Sequence, residues 1–569
     1  MVMMRDFLTQ RLLRGLVRRF NNLRIRAMAR HVAAHQPPAA GDPVIFFKAS
    51  TGIDDLSWNS GFHLLASWAL RLAGVPVLYF ACDAGMSHCV LGTNRDHPRK
   101  APPCRSCVYQ SRTLYARSDV AWFHFERDPR LEQALQGLDL GALARFEWIF
   151  PGQPANGGAR AVTTDLHSDS SRDRQNPRFL PLGRLCLPSL RWILRVHHLN
   201  DDESTRYLLR EYILSAWNVA RTFAGLLDRM RPRAVVVFNG QFFPEATARF
   251  LAQQRGVRVI THEVGLQPAS AFFTDGEATA YPLNIPEAFE LDPAQEARLD
   301  AYLQERFRGE FSMAGIRFWP RMQALGPEFL ATAARFGQLV AIFTNVVFDT
   351  SQPHANTVFE DMFEWLDRIL GVIRANPETL FVIRAHPDEL RLRKSSRETV
   401  AAWMRSSGAD TLPNLYFIGP QERLSSYDLI SKSKFVMVYN STVGLEASLM
   451  GVPVLCSARA RYTQYPTVFF PQSKDHVLGK LQEFLEAEKI YVPAEFRHNA
   501  RRFLYYQLFR ASLPFDAYLR PSVRSTQTRL KAFGLRLLSP HASPALRAIL
   551  HGVLADGDFV LDDAQAGIA

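Results

Sequence analysis

Long apolar runs are missing from this 569-residue sequence. The best candidate covers residues 339–348, ten residues interrupted by Thr344 and Asn345, whereas a helix needs about 18 apolar residues to cross a bilayer. Hydrophobic residues still make up 47% of the chain, which excludes a disordered protein. At roughly 150 residues per domain, the length predicts several domains in a protein that is soluble or lies on a membrane surface.

Cysteine is also scarce. Six cysteines are too few for a disulfide scaffold and favour a cytoplasmic protein. Four of them fall close together in the sequence: Cys82, Cys89, Cys104 and Cys107. The last two form a C-x2-C pair, which is half of a structural zinc pattern, but the first pair has a looser C-x6-C spacing. Two interpretations stay open: a structural zinc site (with an iron–sulfur site as its weaker variant) and four reduced structural cysteines.

Acidic residues are almost absent from residues 1–31, which contain eight arginines and only Asp6, or +7 of the formal net charge of +12. Apolar residues recur there at helical spacing: Phe7, Leu8, Leu12, Leu13, Leu16, Val17, Phe20 and Leu23. We therefore expect a basic amphipathic helix, with a linker up to residue 41, that binds the anionic inner face of a membrane. A helix packed on the protein is the alternative. Nucleic acid is not an expected partner, because no aromatic platforms interleave with the arginines.

Neither a G-x-G-x-x-G loop nor a Walker loop is present, so the dinucleotide-binding and ATPase classes lose support. Short apolar strands alternate with helices from residue 44 onwards, which predicts an α/β fold with parallel sheets in two halves. We predict domains at 42–330 and 331–495, followed by C-terminal helices and a tail at 496–569. A strand is predicted over 144–150 and a surface loop over 152–178.

Polar residues follow the predicted strands, where ligands of such sheets bind. Five of them are assigned to the acceptor side of a cleft: Asn239, Gly240, Glu245, Asn345 and Asp349.

Ser441, Thr442 and Gly444 follow another strand and open a helix. Hydroxyl groups and free N–H groups there favour a phosphate, and Glu446, one turn further on, is placed to bind ribose hydroxyls. An ordinary helix N-cap with a capping carboxylate accounts for the same residues.

Arg384 and His386 end a strand as a positively polarised pair suited to a diphosphate or to a sugar carboxylate. Pro387 is assigned to the same predicted binding site. A His-Pro turn that closes the strand is the alternative. Gly419 follows the next strand and joins the predicted donor site.

The run Phe381–Glu389 (FVIRAHPDE), followed by YNSTVGLE at 439–446 and GVPV at 451–454, resembles the capsule polysaccharide biosynthesis glycosyltransferases. The motifs are also similar to those of bacterial sialyltransferases and Kdo transferases, whose donors are CMP-linked acidic sugars. The resemblance is strongest over about residues 230–475. It implies two Rossmann-like domains facing across a cleft (GT-B), with the nucleotide-sugar donor bound to domain 331–495.

In those enzymes the acid of a D/E-x-G motif faces the acceptor, and Glu263-Val264-Gly265 matches this motif loosely. The resemblance implies that Glu263 is the general base of an inverting transfer, or that it orients the acceptor in a retaining one. Arg384 and His386 then offset charge on the leaving phosphate, a role that a metal has in other transferases. No cofactor is expected for catalysis.

The predicted function is therefore the transfer of a sugar from a nucleotide-sugar donor to a capsular polysaccharide or a lipid-linked glycan, in the bacterial cytoplasm. Two rivals stay open. A nucleotide-sugar 2-epimerase shares the fold but usually has Ser-Gly-Gly where this chain has Ser441-Thr442-Val443-Gly444. A non-catalytic assembly or export factor keeps the fold without a donor pocket.

Overall fold

The computed structural model describes residues 2–49, 55–149, 179–308, 322–391, 395–524, 526–555 and 557–562, with side chains from residue 13 onwards. The chain forms two compact units. The first comprises Met1–Ile193, Leu199–Thr279 and Phe509–Ala569, and the second Leu194–His198 and Ala280–Leu508. The boundary predicted at residue 330 therefore falls inside the second unit. The predicted loop 152–178 lies outside the described residues.

The described α-helices, in chain order, are α1 (Val2–His35), α2 (Trp58–Leu72), α3 (Cys104–Leu114), α4 (Pro129–Leu135), α5 (Leu140–Ala144), α6 (Leu182–Leu194), α7 (Glu203–Met230), α8 (Phe243–Gln254), α9 (Pro293–Phe307), α10 (Pro327–Ala333), α11 (Gln352–Ala355), α12 (Met362–Ala375), α13 (Val400–Ser407), α14 (Ser426–Lys432), α15 (Val443–Leu449), α16 (Lys474–Glu486), α17 (Ala494–Tyr505) and α18 (Pro544–Leu554).

The described strands up to residue 274 are β1 (Val44–Lys48), β2 (Val77–Cys82), β3 (Asp119–Phe123), β4 (Trp148–Ile149), β5 (Phe179–Leu180), β6 (Ala234–Phe238), β7 (Arg258–Val264) and β8 (Ser270–Thr274). Those that follow are β9 (Gln338–Phe343), β10 (Thr379–Arg384), β11 (Leu415–Ile418), β12 (Phe435–Val438), β13 (Val454–Cys456), β14 (Leu513–Pro514), β15 (Leu519–Pro521) and β16 (Thr528–Leu530).

Each unit is built around one sheet. The first unit has the order β14-β8-β7-β6-β1-β2-β3, in which β8 pairs antiparallel with both β7 and β14, and the other neighbours pair parallel. The second has the fully parallel order β11-β10-β9-β12-β13. The predicted α/β fold with two Rossmann-like units is confirmed. Successive strands run outwards from β1 and from β9 and then cross back, so the strand order reverses between β1 and β6 and between β9 and β12.

The strand predicted over 144–150 is confirmed only in its second half. Asp139 accepts a hydrogen bond from Ala142 N at 2.7 Å and caps the short helix α5, so the chain up to Ala144 is helical. Trp148–Ile149 form β4, which pairs antiparallel with β5 outside the main sheet, and residue 150 lies outside the described residues.

Helix α1 has two kinds of face in its described part. Ile25, Ala29 and Val32 are fully buried in the core of the first unit, whereas four apolar side chains are more than half exposed: Leu13, Leu16, Phe20 and Leu23. None of the helices in the described ranges is both long and apolar enough to cross a membrane.

Candidate functional site

The reversal point of the second sheet lies between the ends of β9 and β12, where Asn345 and Asn440 follow the strands. Asn440 N donates to Asn345 Oδ1 at 3.2 Å, which joins the two strand ends. Asn440 Oδ1 is buried and has no hydrogen-bond partner among the described residues. Ligands of open parallel sheets bind at such reversal points, so this edge is the structural candidate for the ligand site of the second unit.

Arg384 ends β10, which pairs with β9 at the same edge. Its side chain is buried, with 5% of the residue exposed. Nη2 donates to the Glu422 carbonyl oxygen at 3.2 Å, but Nη1 is buried without a partner in the described part of the chain. Burial lowers the pKa of Arg384 to about 10, which the nearby Glu422 opposes. A guanidinium with an unfilled donor, at the carboxyl edge of a parallel sheet, suits an anionic ligand.

His386 begins the short 3-10 helix Pro387–Leu390. Its Nδ1 accepts a hydrogen bond from Asp388 N at 3.1 Å, so in the neutral ring the proton is on Nε2. Burial lowers the pKa of His386, and nearby Arg384 lowers it further, while Asp388 and Asp349 oppose the shift. The predicted His-Pro turn and the predicted polar pair are thus both present in one short segment.

The turn after β12 contains Ser441, Thr442 and Gly444. Ser441 is buried, and its carbonyl oxygen accepts a hydrogen bond from Tyr462 Oη at 2.7 Å. A Cβ atom at Gly444 would lie 2.2 Å from the same Tyr462 Oη, so only glycine fits at that position. Thr442 is the N-cap of α15, but its side chain makes no capping hydrogen bond. The ordinary N-cap interpretation is therefore wrong for Thr442.

Glu446 does not face an open edge. It is 5% exposed, and its two oxygens accept hydrogen bonds from Arg306 Nη2 at 2.5 Å and Tyr427 Oη at 2.6 Å. These partners give Glu446 a structural role that the sequence did not indicate. Burial alone would lower the pKa of Arg306, but Glu446 outweighs burial and raises it, so the pair is an ion pair.

Gly419 and Asp349, also predicted for the donor site and the cleft, form hydrogen bonds within turns. Gly419 N donates to Glu422 Oε1 at 2.6 Å. The exposed Asp349 accepts from Ser351 N at 2.9 Å. Both follow strands of the same sheet, as predicted.

The first sheet reverses between β1 and β6, and Glu263 lies two strands from β1, in β7 itself rather than after it. Asn59 Nδ2 donates to its Oε1 and Asn239 Nδ2 to its Oε2, both at 3.0 Å, and Val264 N donates to Oε1 at 2.9 Å. The half-buried carboxylate is therefore held in a fixed orientation. Nothing in the sequence pointed to Asn59.

Asn239 also shapes its own turn. Its φ is 62°, a left-handed value that asparagine tolerates, and the next residue, Gly240, has a φ of 81°. Gln241 N donates to Asn239 Oδ1 at 3.0 Å. This turn directs the Asn239 amide towards Glu263.

Two buried charged residues lie beside this network. Lys48 ends β1 with 4% of its surface exposed, and Glu245 in the first turn of α8 is 2% exposed. Burial raises the pKa of Glu245 to about 7, against the opposing charge of Lys48. Burial likewise lowers the pKa of Lys48, and the charge of Glu245 is the largest of the effects that oppose this shift. Glu245 is among the residues predicted for this edge. Lys48 is not, because its only signal in the sequence is a lysine at the end of an apolar strand.

Family comparison provides the next observation. Residues 331–465 match the family described as "Capsule polysaccharide biosynthesis protein". The predicted resemblance is thereby confirmed for this segment, which contains Arg384, His386 and the turn 440–444. No curated protein matches the chain significantly.

Solved structures that match this chain include two KpsC proteins of Thermosulfurimonas dismutans. The one described as a beta Kdo 2,4 transferase is 11% identical, covering 49% of this chain and 80% of that chain at a TM-score of 0.32. The beta Kdo 2,7 transferase is 14% identical, covering 55% and 85% at 0.31. The UDP-GlcNAc 2-epimerase of Neisseria meningitidis, solved with UDP-GlcNAc, is 11% identical, covering 82% and 98% at 0.22.

Outside the capsule-family segment, the structure gathers Cys82, Cys89, Cys104 and Cys107 around one cavity of the first unit. All four are unbridged and partly exposed. Among the described residues, the one group of three or more His, Cys, Asp or Glu ligand atoms within 4.8 Å of one another is His197, His198 and Asp361. The four sulfurs are therefore grouped, but no three of them are that close.

A histidine pair in the second unit was missed by the sequence analysis. His198 Nε2 lies 3.1 Å and His197 Nε2 3.6 Å from Asp361 Oδ2, and His198 Nδ1 contacts Glu398. Hydrogen bonds that the His198 ring donates to Asp361 and Glu398 raise the pKa of His198 to about 10. The charged ring fixes the short segment Leu194–His198 to the second unit.

Proposed function

We propose that this chain is a glycosyltransferase of capsule polysaccharide assembly, which transfers a sugar from a nucleotide-sugar donor to a glycan acceptor. The observation that carries the proposal is the buried Arg384, whose Nη1 has no partner among the described residues at the carboxyl edge of the second sheet. A buried cation with an unfilled donor costs stability unless a ligand completes it. A donor phosphate, or the carboxylate of an acidic sugar, is an anion of the required kind.

In this proposal the second unit binds the donor. Arg384 contacts the diphosphate or the sugar carboxylate, and the protonated Nε2 of neutral His386 donates to the leaving phosphate. Thr442 contributes a hydroxyl group that is not used in capping. Hydrogen bonds to the leaving phosphate strengthen as its charge develops, and such bonds lower the barrier.

The first unit supplies the base. Glu263 takes the proton of the acceptor hydroxyl while the oxygen attacks the anomeric carbon and the bond to the donor phosphate breaks. Its orientation is fixed by Asn59 and Asn239, and fixed orientation is what general-base catalysis needs.

The experiment that tests the proposal is a screen of CMP-, UDP- and GDP-linked sugars with the purified full chain, with and without glycan acceptors. We expect binding of one nucleotide class and slow release of free nucleotide, which acceptor accelerates. Interconversion of the donor sugar without acceptor would support a 2-epimerase instead. No binding of any nucleotide would support a non-catalytic assembly factor.

We further propose that α1 places the protein on an anionic membrane. The exposed Leu13, Leu16, Phe20 and Leu23 lie at helical spacing, and the exposed Arg19 is on the same helix. Apolar side chains among arginines suit the headgroup region of an anionic bilayer, where each arginine contributes about 1 kcal/mol.

Vesicle sedimentation tests this location. The full chain should bind vesicles of anionic lipid, lose most binding when Leu16 and Phe20 are both changed to serine, and bind zwitterionic vesicles weakly. A matched double change at the exposed Leu390 and Tyr491, which lie far along the chain, should leave binding unchanged. Equal binding by both variants would contradict a role for α1.

A further inference from the structure

Four cysteines that have no role in the proposed function line one cavity of the first unit. Cys82 ends β2, Cys89 lies in the loop that follows, and Cys104 and Cys107 are in the first turn of α3. The other lining residues are apolar, among them Met86 and Leu91. Three separate chain segments thus converge to present four thiols to one cavity.

The spacing of the sulfurs distinguishes two kinds of metal centre. A single zinc ion with Zn–S bonds of about 2.3 Å needs its four sulfurs roughly 3.8 Å apart. No three of these sulfurs lie within 4.8 Å of one another, since the one such ligand group in the described ranges is elsewhere. An iron–sulfur cluster places several iron atoms and sulfides between its cysteines, so its thiolates stand around a wider space.

Backbone N–H groups are directed at two of the sulfurs. Gly85 N donates to Cys82 Sγ at 3.1 Å and Gly92 N to Cys89 Sγ at 3.3 Å. A Cβ atom at Gly92 would lie 3.0 Å from Cys89 Sγ and 2.6 Å from a Pro102 carbon, so glycine permits this approach. Hydrogen bonds of this kind stabilise thiolate ligands and set the potential of an iron–sulfur cluster.

A positive charge also lies close by. Ala49 lines the cavity, and the preceding residue, Lys48, is buried at the end of β1. A cluster with four thiolate ligands is anionic overall, and a buried lysine would offset part of that charge.

From this geometry we propose that Cys82, Cys89, Cys104 and Cys107 bind an iron–sulfur cluster. Each thiol releases its proton and forms one Fe–S bond, and the cluster joins the end of β2, the loop 83–103 and helix α3. No electron-transfer step is part of the proposal.

The test uses the full chain, expressed with sufficient iron and purified without oxygen. We expect iron and acid-labile sulfide in equal amounts, about two or about four of each per chain, and the broad visible absorption of a cluster, bleached by dithionite. About one zinc per chain without sulfide would overturn the cluster in favour of a single-ion site. Absence of both metals would also overturn it, in favour of four reduced cysteines.

Variants make the assignment specific. Cys107→Ala should lose the visible absorption and most of the iron, whereas Cys186→Ala, at a fully buried cysteine outside the cavity, should keep both. Far-UV circular dichroism and nucleotide binding by the second unit report whether each variant is folded. A folded Cys107→Ala protein with an unchanged iron content and spectrum would contradict the proposal.

Discussion

The carboxyl edges of the two sheets are built in opposite ways. In the first unit, both oxygens of Glu263 accept hydrogen bonds from asparagine amides of the same unit. In the second, the buried Arg384 Nη1 and Asn440 Oδ1 have no described partner. The filled acceptors of Glu263 fix its carboxylate, although Asn59 Oδ1 beside it is buried without a described partner. A buried cation with an unfilled donor loses stability until a ligand supplies the missing group. We propose on this basis that the first edge holds the reacting group and that the second edge binds the ligand.

The largest expected effect is a loss of transfer rate on changing Glu263, at the carboxyl edge of the first sheet. Changing Glu263 to Gln keeps the shape of the side chain but removes the base, so the rate of transfer should fall by about 10² to 10⁴. Because Glu263 belongs to the first unit, the affinity for the donor nucleotide should stay within about twofold. Steady-state kinetics and calorimetric titration measure the two quantities.

Asn59→Ala is the matched control, since it removes one of the amides that hold Glu263 and leaves the carboxylate. Its rate should fall by less than that of Glu263→Gln. Full transfer activity in Glu263→Gln would remove the base from the mechanism.

The next largest effect is expected for Glu446, and it distinguishes a structural role of this residue from a role in nucleotide binding. Glu446→Gln leaves the buried Arg306 without its counter-charge, and breaking a buried ion pair costs about 3–5 kcal/mol. The melting temperature should fall steeply, while nucleotide affinity of the folded fraction changes little. A large loss of affinity at an unchanged melting temperature would restore the ribose-binding role that the sequence suggested.

Arg384→Met is expected to have a smaller effect than either change above. It should weaken nucleotide binding but should not lower the stability of the unliganded protein. Losing a charge-assisted hydrogen bond should weaken nucleotide binding by roughly 10- to 100-fold. The unliganded protein should melt at the same temperature or higher, because an incompletely paired buried cation is replaced by an apolar chain. Arg368→Met, at an exposed arginine of the same unit, should change neither quantity. A strong drop in the melting temperature of Arg384→Met would make Arg384 structural.

The sequence predicted much of the fold because apolar strands and helix starts are local signals. Arg384, His386 and Ser441 all lie at the carboxyl edge of the second sheet, where the strand pattern of the sequence predicts them. The sequence did not indicate hydrogen-bond partners that are distant in the chain. Glu446 looked like a ribose ligand because Arg306 is 140 residues away, and Asn59 is 204 residues from Glu263. Which carboxylate is held and which cation is left open depends on tertiary contacts that no local pattern contains.

The smallest expected effect is on the pH dependence of stability, and it concerns Glu245, the buried carboxyl group beside the hydrogen bonds of Glu263. Its pKa is raised from about 4.5 to about 7 by burial, so the folded state binds its proton more tightly than the unfolded chain does. Its contribution to stability is therefore full below pH 4.5 and is lost as the pH rises through 7. Glu245→Gln should thus melt at a higher temperature relative to the parent at pH 8 than at pH 5.

The shift alone corresponds to about 3 kcal/mol, but Lys48 loses its neighbouring charge in the same variant, so the observed gain at pH 8 should be nearer 1 kcal/mol. Thermal melts of the parent and the variant at both pH values measure it. Glu126→Gln, at an exposed glutamate of the same unit, is the control for the general effect of removing one carboxylate. An equal gain in melting temperature at pH 5 and pH 8 would mean that Glu245 titrates near its ordinary pKa. The first edge would then accept the buried charge of Glu245 as readily as the second edge accepts that of Arg384.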